Sequence, residues 1–312
     1  MVDPSGAPGT HGHGTWRRLR RVSNADHHFL IAAVDHRDAL RAEFDPTNPA
    51  AVPTSTLTRF KADVITALAD RPSAVMLEPQ YSVPELTVND TVHRNVGVIC
   101  ALEQQGYLAS NPSVGNAWMP GWTPRELARA GCDAAKLLVL YRHDRDVLTE
   151  RQEELIERTV AACSDAELPI FVEPVPFDVV DERDCSEVII AAARRLAPFG
   201  PMILKLPYPG AGRCVELDDA CGSRPWALLS WGAGYEEFAR QLTEACAAGC
   251  SGFMVGRALW RAALAEPTRA AALRNVVIPR FEELSAIAAS GRPWSTRVSQ
   301  PDIDTWPWSD RV

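Results

Sequence analysis

Short apolar runs alternate with longer stretches of helical periodicity along almost the whole chain. Apolar runs at 29–34, 74–77, 96–102, 134–141, 170–173, 202–206, 226–230 and 252–255 each have strand length. Helical spacing of apolar positions fills 56–69, 123–130, 149–166, 186–196, 235–248, 258–265 and 280–289. Before one of these, Thr123 offers an N-cap, Pro124 fits the first helical position and Glu126 completes a capping box. Near-continuous apolar strands, most followed by a helix, describe a parallel sheet covered on both faces. Eight such units predict an α/β fold, a single-domain (β/α)8 TIM barrel over 26–295. Residues 1–25 read as a flexible arm and 296–312 as a polar tail. A doubly wound open sheet is the runner-up. Its dinucleotide fingerprint is weak, because Gly210-Ala211-Gly212 and Gly232-Ala233-Gly234 both lack the third glycine.

Composition narrows the function. A net charge of −8 gives no basic footprint, so nucleic acid is not an expected partner. No apolar run is long enough for a membrane span, and the Gly/Pro/His-rich start lacks the apolar core of a signal peptide. Eight scattered cysteines without a CxxC pair read as reduced thiols of a cytoplasmic protein. The pair Cys246/Cys250 at helical spacing reads as packing. The histidines, His11, His13, His27, His28, His36, His93 and His143, form no metal-ligand pair on a strand end. No cofactor or metal is expected.

Only three of the 32 basic residues are lysines: Lys61, Lys136 and Lys205. Where arginine has taken over every generic positive charge, a retained lysine is a candidate for chemistry arginine cannot perform, such as imine formation. Two of the three fall inside apolar strands. Five polar residues interrupt or end such strands, where barrel chemistry sits: Asp35, Glu78, Lys136, Glu173 and Lys205. The bland alternative is a set of structural ion pairs among them. Strands 7 and 8 each run into a glycine turn, Ser230-Trp231-Gly232 and Gly256-Arg257. Two helix N-termini there, with Arg257, suit a phosphate. A lumenal amine, lumenal carboxylates and an anion site together point to a class I aldolase.

Several segments also resemble the class I tagatose 1,6-bisphosphate aldolases and sulfofructosephosphate aldolases, the DeoC/LacD-like aldolases. They are AAVDHRDALR at 32–41, VMLEPQYS at 75–82, GCDAAKLLVLY at 131–141, PIFVEP at 169–174, ILKLPYP at 203–209, LLSWGAG at 228–234, GFMVGRALW at 252–260 and FEELSAIAASGRPW at 281–294. The resemblance implies an α/β barrel whose imine-forming lysine is Lys205, with Lys136, Glu173 and Asp35 as the other catalytic positions. Departures are His36 in place of glutamine, Leu206-Pro207 after the strand 6 lysine in place of a carboxylate, and Trp231 in place of a small residue.

The expected reaction cleaves a phosphorylated ketose to dihydroxyacetone phosphate and an aldehyde. Lys205, activated by desolvation and by the charge of Lys136, attacks the ketone, Glu173 shuttles protons, and Asp35 binds hydroxyls or orients Lys205. Ser230, Gly232, Gly256 and Arg257, with Glu78, are the expected substrate and phosphate contacts. The loops with Gln80, Tyr81, Asn111, Asn116, Trp118 and Arg142 are expected to select the aldehyde half. Another imine-forming barrel lyase or transferase, or a non-catalytic phosphosugar-binding barrel, stays open as an alternative. The expected partner is a small phosphorylated sugar, and the expected assembly a homo-oligomer.

Overall fold

Eight parallel strands pair in sequence order and close on themselves: β1 (Phe29–Ala33), β2 (Ala74–Leu77), β3 (Gly97–Ala101), β4 (Ala134–Tyr141), β5 (Ile170–Pro176), β6 (Ile203–Leu206), β7 (Trp226–Leu229) and β8 (Gly252–Val255). The computed structural model describes residues 12–104, 115–200 and 202–302. The barrel predicted from the apolar runs is the observed fold, and β2, β4 and β8 have the predicted bounds. Closure depends on a glycine. Gly252 pairs with Phe29, and a Cβ at Gly252 would lie 2.1 Å from the Phe29 carbonyl oxygen.

Twelve helices accompany the strands in the described residues: α1 (His13–Arg21), α2 (Asp38–Phe44), α3 (Thr54–Leu68), α4 (Val83–Val88), α5 (Pro124–Arg129), α6 (Asp146–Asp165), α7 (Glu182–Leu196), α8 (Cys214–Cys221), α9 (Tyr235–Ala248), α10 (Arg257–Trp260), α11 (Arg269–Ala272) and α12 (Ile278–Ala288). The α5 capping box forms: the Thr123 hydroxyl accepts from the Glu126 N–H and donates to its carboxylate. The sequence reading passes over α2, α4 and α8 because each is only about two turns long, too short for a 3.6-residue period to stand out. The helix expected at 258–265 is instead the single turn α10 followed by a 3-10 turn, Arg261–Ala263.

Alternate strand residues enter the lumen, and those at the N-terminal end are apolar. Phe29, Ile31, Ala74, Ile99, Ala134, Phe171, Ile203, Ala227 and Met254 form this interior cluster. Phe29 meets Phe171 edge-on at 5.2 Å. Residues 13–21 and 294–298 pack against the same end of the barrel, within the segments expected as an arm over 1–25 and a tail from 296. Residues 13–21 form α1, whose Leu19 is fully buried in the interior cluster, and Trp16 packs on Trp294 at 4.9 Å. Beyond 295, Val298 joins that cluster and Arg297 binds the Asp218 carboxylate at 2.5 Å. Residues 1–11 and 303–312 lie outside the described residues. Among the described residues no helix is long and apolar enough to cross a membrane.

Candidate active site

The same alternation carries polar residues into the lumen towards the strands' C-terminal ends. On β4, Ala134 is followed two residues on by Lys136. On β5, Phe171 is followed by Glu173, and on β6, Ile203 by Lys205. Beyond β1 and β3 the alternation continues to Asp35 and Glu103. These side chains line a cleft of about 920 Å3, counting its solvent-open part, at the C-terminal mouth of the barrel. Active sites of this architecture sit there, because loops after eight strands converge on one point.

Lys205 Nζ lies 2.9 Å from Oε2 of Glu173 and 3.7 Å from the Met76 sulfur. Lys136 Nζ lies 3.0 Å from that same Glu173 oxygen, 2.8 Å from Oε1 of Glu103 and 3.2 Å from Oδ2 of Asp35. Asp35 is thus bonded to Lys136, and orienting Lys205 is not its observed contact. All these groups are buried. Burial by itself would raise the Asp35 carboxyl, but the charges of Lys136 and then Lys205 outweigh it and hold the group well below the carboxylate range. Glu173 follows the same balance: burial raises it, Lys136 and Lys205 lower it further, and the net direction is down. Both carboxylates are therefore ionised near neutral pH, as buried charges can be when paired.

Two residues that the sequence reading did not select complete the network. Glu103 accepts from Lys136 and from the Leu138 backbone N–H at 3.1 Å. Arg37, almost wholly enclosed, donates through Nη2 to the Glu103 carbonyl oxygen at 3.0 Å, with Glu103 Oε1 3.5 Å away. Glu103 stands two residues beyond Ala101 just as Glu78 stands two beyond lumenal Met76, so the period of two does not by itself single it out. His36, noted in the sequence as a departure, also lines the cleft. Burial pushes its imidazole down to about 4, against the opposing pull of Asp35, so the ring is neutral at pH 7.

Glu78 is not in the cleft, which corrects its expected role. The chain leaves the sheet after Leu77, and the carboxylate turns to α3, where Lys61 Nζ lies 2.5 Å from Oε1. Ser82 donates to Oε1 at 2.7 Å, and the N–H groups of Gln80 and Tyr81 donate to Oε2 at 2.8 Å each. Both side chains are completely buried. This is a structural ion pair, but its cation is Lys61, a helix residue outside the five strand positions.

The expected anion contacts do meet. Ser230, Gly232, Gly256 and Arg257 all line the mouth of the cleft beside the lysines. The β7 turn leads into the N-terminus of α9, where Gly234 occupies the cap position without a side chain to satisfy the first N–H groups. The second expected helix N-terminus is weaker, because α10 is a single turn. Gly256 has no room for a Cβ, which would meet the His36 ring at 2.7 Å. Arg257 is partly exposed, with Nη1 3.8 Å from Glu43, whose carboxylate is held more closely by Arg261 at 2.6 and 3.0 Å. Trp231 has a φ of +37°, a left-handed conformation that costs a non-glycine residue about 1–3 kcal/mol. Of the loop residues expected to select the aldehyde, Gln80, Tyr81, Asn116, Trp118 and Arg142 do not line the cleft, and Asn111 lies outside the described residues.

Known proteins resemble this chain in sequence and fold. The sequence model of the DeoC/LacD family aldolases matches residues 29–262. The tagatose 1,6-diphosphate aldolase 2 of Streptococcus mutans is 26% identical, over 90% of this chain and 96% of its own. The tagatose 1,6-diphosphate aldolase of Lactococcus lactis is 24% identical, over 90% of this chain and 98% of its own. Among solved structures, an archaeal fructose 1,6-bisphosphate aldolase has the same fold with a TM-score of 0.63 at 18% identity, covering 89% of this chain and 100% of its own. With a family match across most of the chain and an amine and carboxylates gathered at the barrel mouth, the chain belongs to the DeoC/LacD aldolase family, whose members are carbon–carbon lyases.

Proposed function

We propose that this aldolase cleaves a ketose phosphate, resembling tagatose 1,6-bisphosphate or sulfofructose phosphate, to dihydroxyacetone phosphate and an aldehyde, with Lys205 as the imine-forming residue. The observation that carries the reading is the pairing of Lys205 Nζ with Glu173 at 2.9 Å inside a cleft whose mouth holds Ser230, Gly232, Gly256 and Arg257. The names of the relatives support a phosphorylated ketose. Free cysteines, most of them buried, support a reducing compartment, the cytoplasm.

The proposed steps use these contacts. The Lys205 amine, having given a proton to Glu173, adds to the C2 ketone to form a carbinolamine. Glu173 returns the proton to the departing hydroxyl, which leaves as water, and a protonated imine remains. Glu173 then takes the proton of the C4 hydroxyl. The C3–C4 bond breaks, its electron pair moves into the imine to make an enamine, and the aldehyde departs. Protonation at C3 and hydrolysis release dihydroxyacetone phosphate and the free amine. The covalent imine is the electron sink, so the cycle needs no metal. Lys136 keeps Asp35 and Glu173 ionised, and Asp35, which lines the same cleft, accepts from substrate hydroxyls. Ser230, Gly232, Gly256 and Arg257 hold the phosphate.

Borohydride trapping tests this. Dihydroxyacetone phosphate plus borohydride should add one reduced adduct at Lys205, visible by intact mass and peptide mapping, and EDTA should not prevent it. Lys205→Met should lose the adduct and the cleavage activity while keeping the fold. An adduct at Lys136 or Lys61 would refute the assignment.

A further inference from the structure

Trp231 is left unexplained by the reaction. It is the middle residue of the turn Ser230-Trp231-Gly232, with a left-handed φ of +37° and 41% of its surface exposed. Among the described residues it is the one aromatic side chain among the exposed large hydrophobics. The turn gains nothing from an indole, since a glycine would relieve the backbone and leave no apolar ring in water. An outlier of this kind at a binding site points to function.

Its position suggests which function. A second groove of about 630 Å3, counting its solvent-open part, lies beside the central cleft and is lined by Tyr208, Ala233, Glu237 and Gln241. The two cavities share one wall, Ser230, Trp231 and Gly232, and Trp231 is the only bulky side chain in it. Without the indole, little more than backbone and one hydroxyl would separate the anion end of the cleft from open space.

We propose that Trp231 is a specificity-determining residue that closes the anion end of the cleft, so that the site takes a ketose ending in an unsubstituted phosphate monoester and excludes one whose phosphate carries a further group. The inference rests on the reading that the Ser230–Gly232 turn holds the substrate phosphate. Exclusion is steric: an ester substituent on the phosphate has to occupy the volume of the indole, and rejection by a clash is a normal source of selectivity.

Imine trapping tests this without any aldehyde partner. The probes are dihydroxyacetone phosphate and its phosphate methyl ester, each with borohydride, with the adduct followed by intact mass. Wild type should trap the methyl ester poorly relative to the monoester. Trp231→Gly should raise the ester-to-monoester trapping ratio by about tenfold, the scale of discrimination one carbon group supports. Trp231→Phe, which keeps a ring in the wall, should keep the wild-type preference. Trp231→Ser carries the same test if the glycine variant does not fold. A merely structural role would slow both probes alike and leave the ratio unchanged. An unchanged ratio in the small-residue variants, or equal trapping of both probes by wild type, overturns the proposal alone. No adduct with dihydroxyacetone phosphate in wild type would overturn the reading of the site as well.

Discussion

Lys136 and Lys205 share a single carboxylate oxygen: Oε2 of Glu173 lies 3.0 Å from one ammonium nitrogen and 2.9 Å from the other. One carboxylate can therefore exchange a proton with Lys205 while Lys136 holds its charge in place. Lys136 also bridges Asp35 and Glu103, so it is the cation on which three buried carboxylates converge.

Replacing that cation should be visible in the pH profile. Lys136 is the largest charge lowering both Asp35 and Glu173. In Lys136→Met the acidic limb of kcat/KM should therefore move to higher pH, with kcat reduced. A profile that falls in height but keeps its acidic limb would show that Lys136 acts in another way.

Arg257 is expected to bind the phosphate equally in the ground and transition states. Its partial exposure and its long contact to Glu43 leave it able to turn to an anion. Arg257→Ala should raise KM by about 10–100-fold with kcat little changed, if charged hydrogen bonds of about 1.5–3 kcal/mol are lost. Steady-state kinetics decide, and a collapse of kcat at unchanged KM would place Arg257 at the reacting carbons.

Lys61 and Glu78 should matter for stability alone. Their pair is fully buried and away from the cleft. Lys61→Met leaves the carboxylate unpaired and should cost about 3–5 kcal/mol of unfolding free energy in urea titrations. The folded fraction should still trap dihydroxyacetone phosphate at Lys205. Loss of trapping in folded Glu78→Gln would return Glu78 to the substrate site.

His36 predicts a pH dependence of stability. Its folded value is about 4 and its ordinary value 6.5, so between these the unfolded chain takes up a proton that the folded chain refuses. Stability should fall as pH drops through that window, by up to about 3 kcal/mol from this residue. Asp35 and Glu173, held below their ordinary values of 3.8 and 4.5, add a second loss as pH falls from there. Urea midpoints between pH 7 and pH 4 should show a flatter slope above pH 4.5 in His36→Gln, and an unaltered slope would contradict the assignment.

Much of the site was legible along the chain because a strand's side chains alternate with a fixed period of two. A charged residue two positions beyond an apolar lumenal one faces the lumen for as long as the sheet continues, and Lys136, Glu173 and Lys205 all lie within strands. The succession of apolar runs and the scarcity of lysine were equally local facts. Past the last strand residue the period no longer decides alone: it carries on to Asp35 but not to Glu78. Glu78 and Glu103 both follow apolar runs, yet Glu78 turns out to Lys61 and Glu103 turns in to Lys136. That choice belongs to partners distant along the chain, which no local pattern contains. The packing of α1 and Trp294 beneath the barrel was decided in the same way, since the lumen has to be sealed and only the closed sheet shows which segments reach it. The sequence determined which residues carry charge inside strands; the tertiary structure decided which charges meet, because a buried ion is stable only beside the partner that folding brings to it.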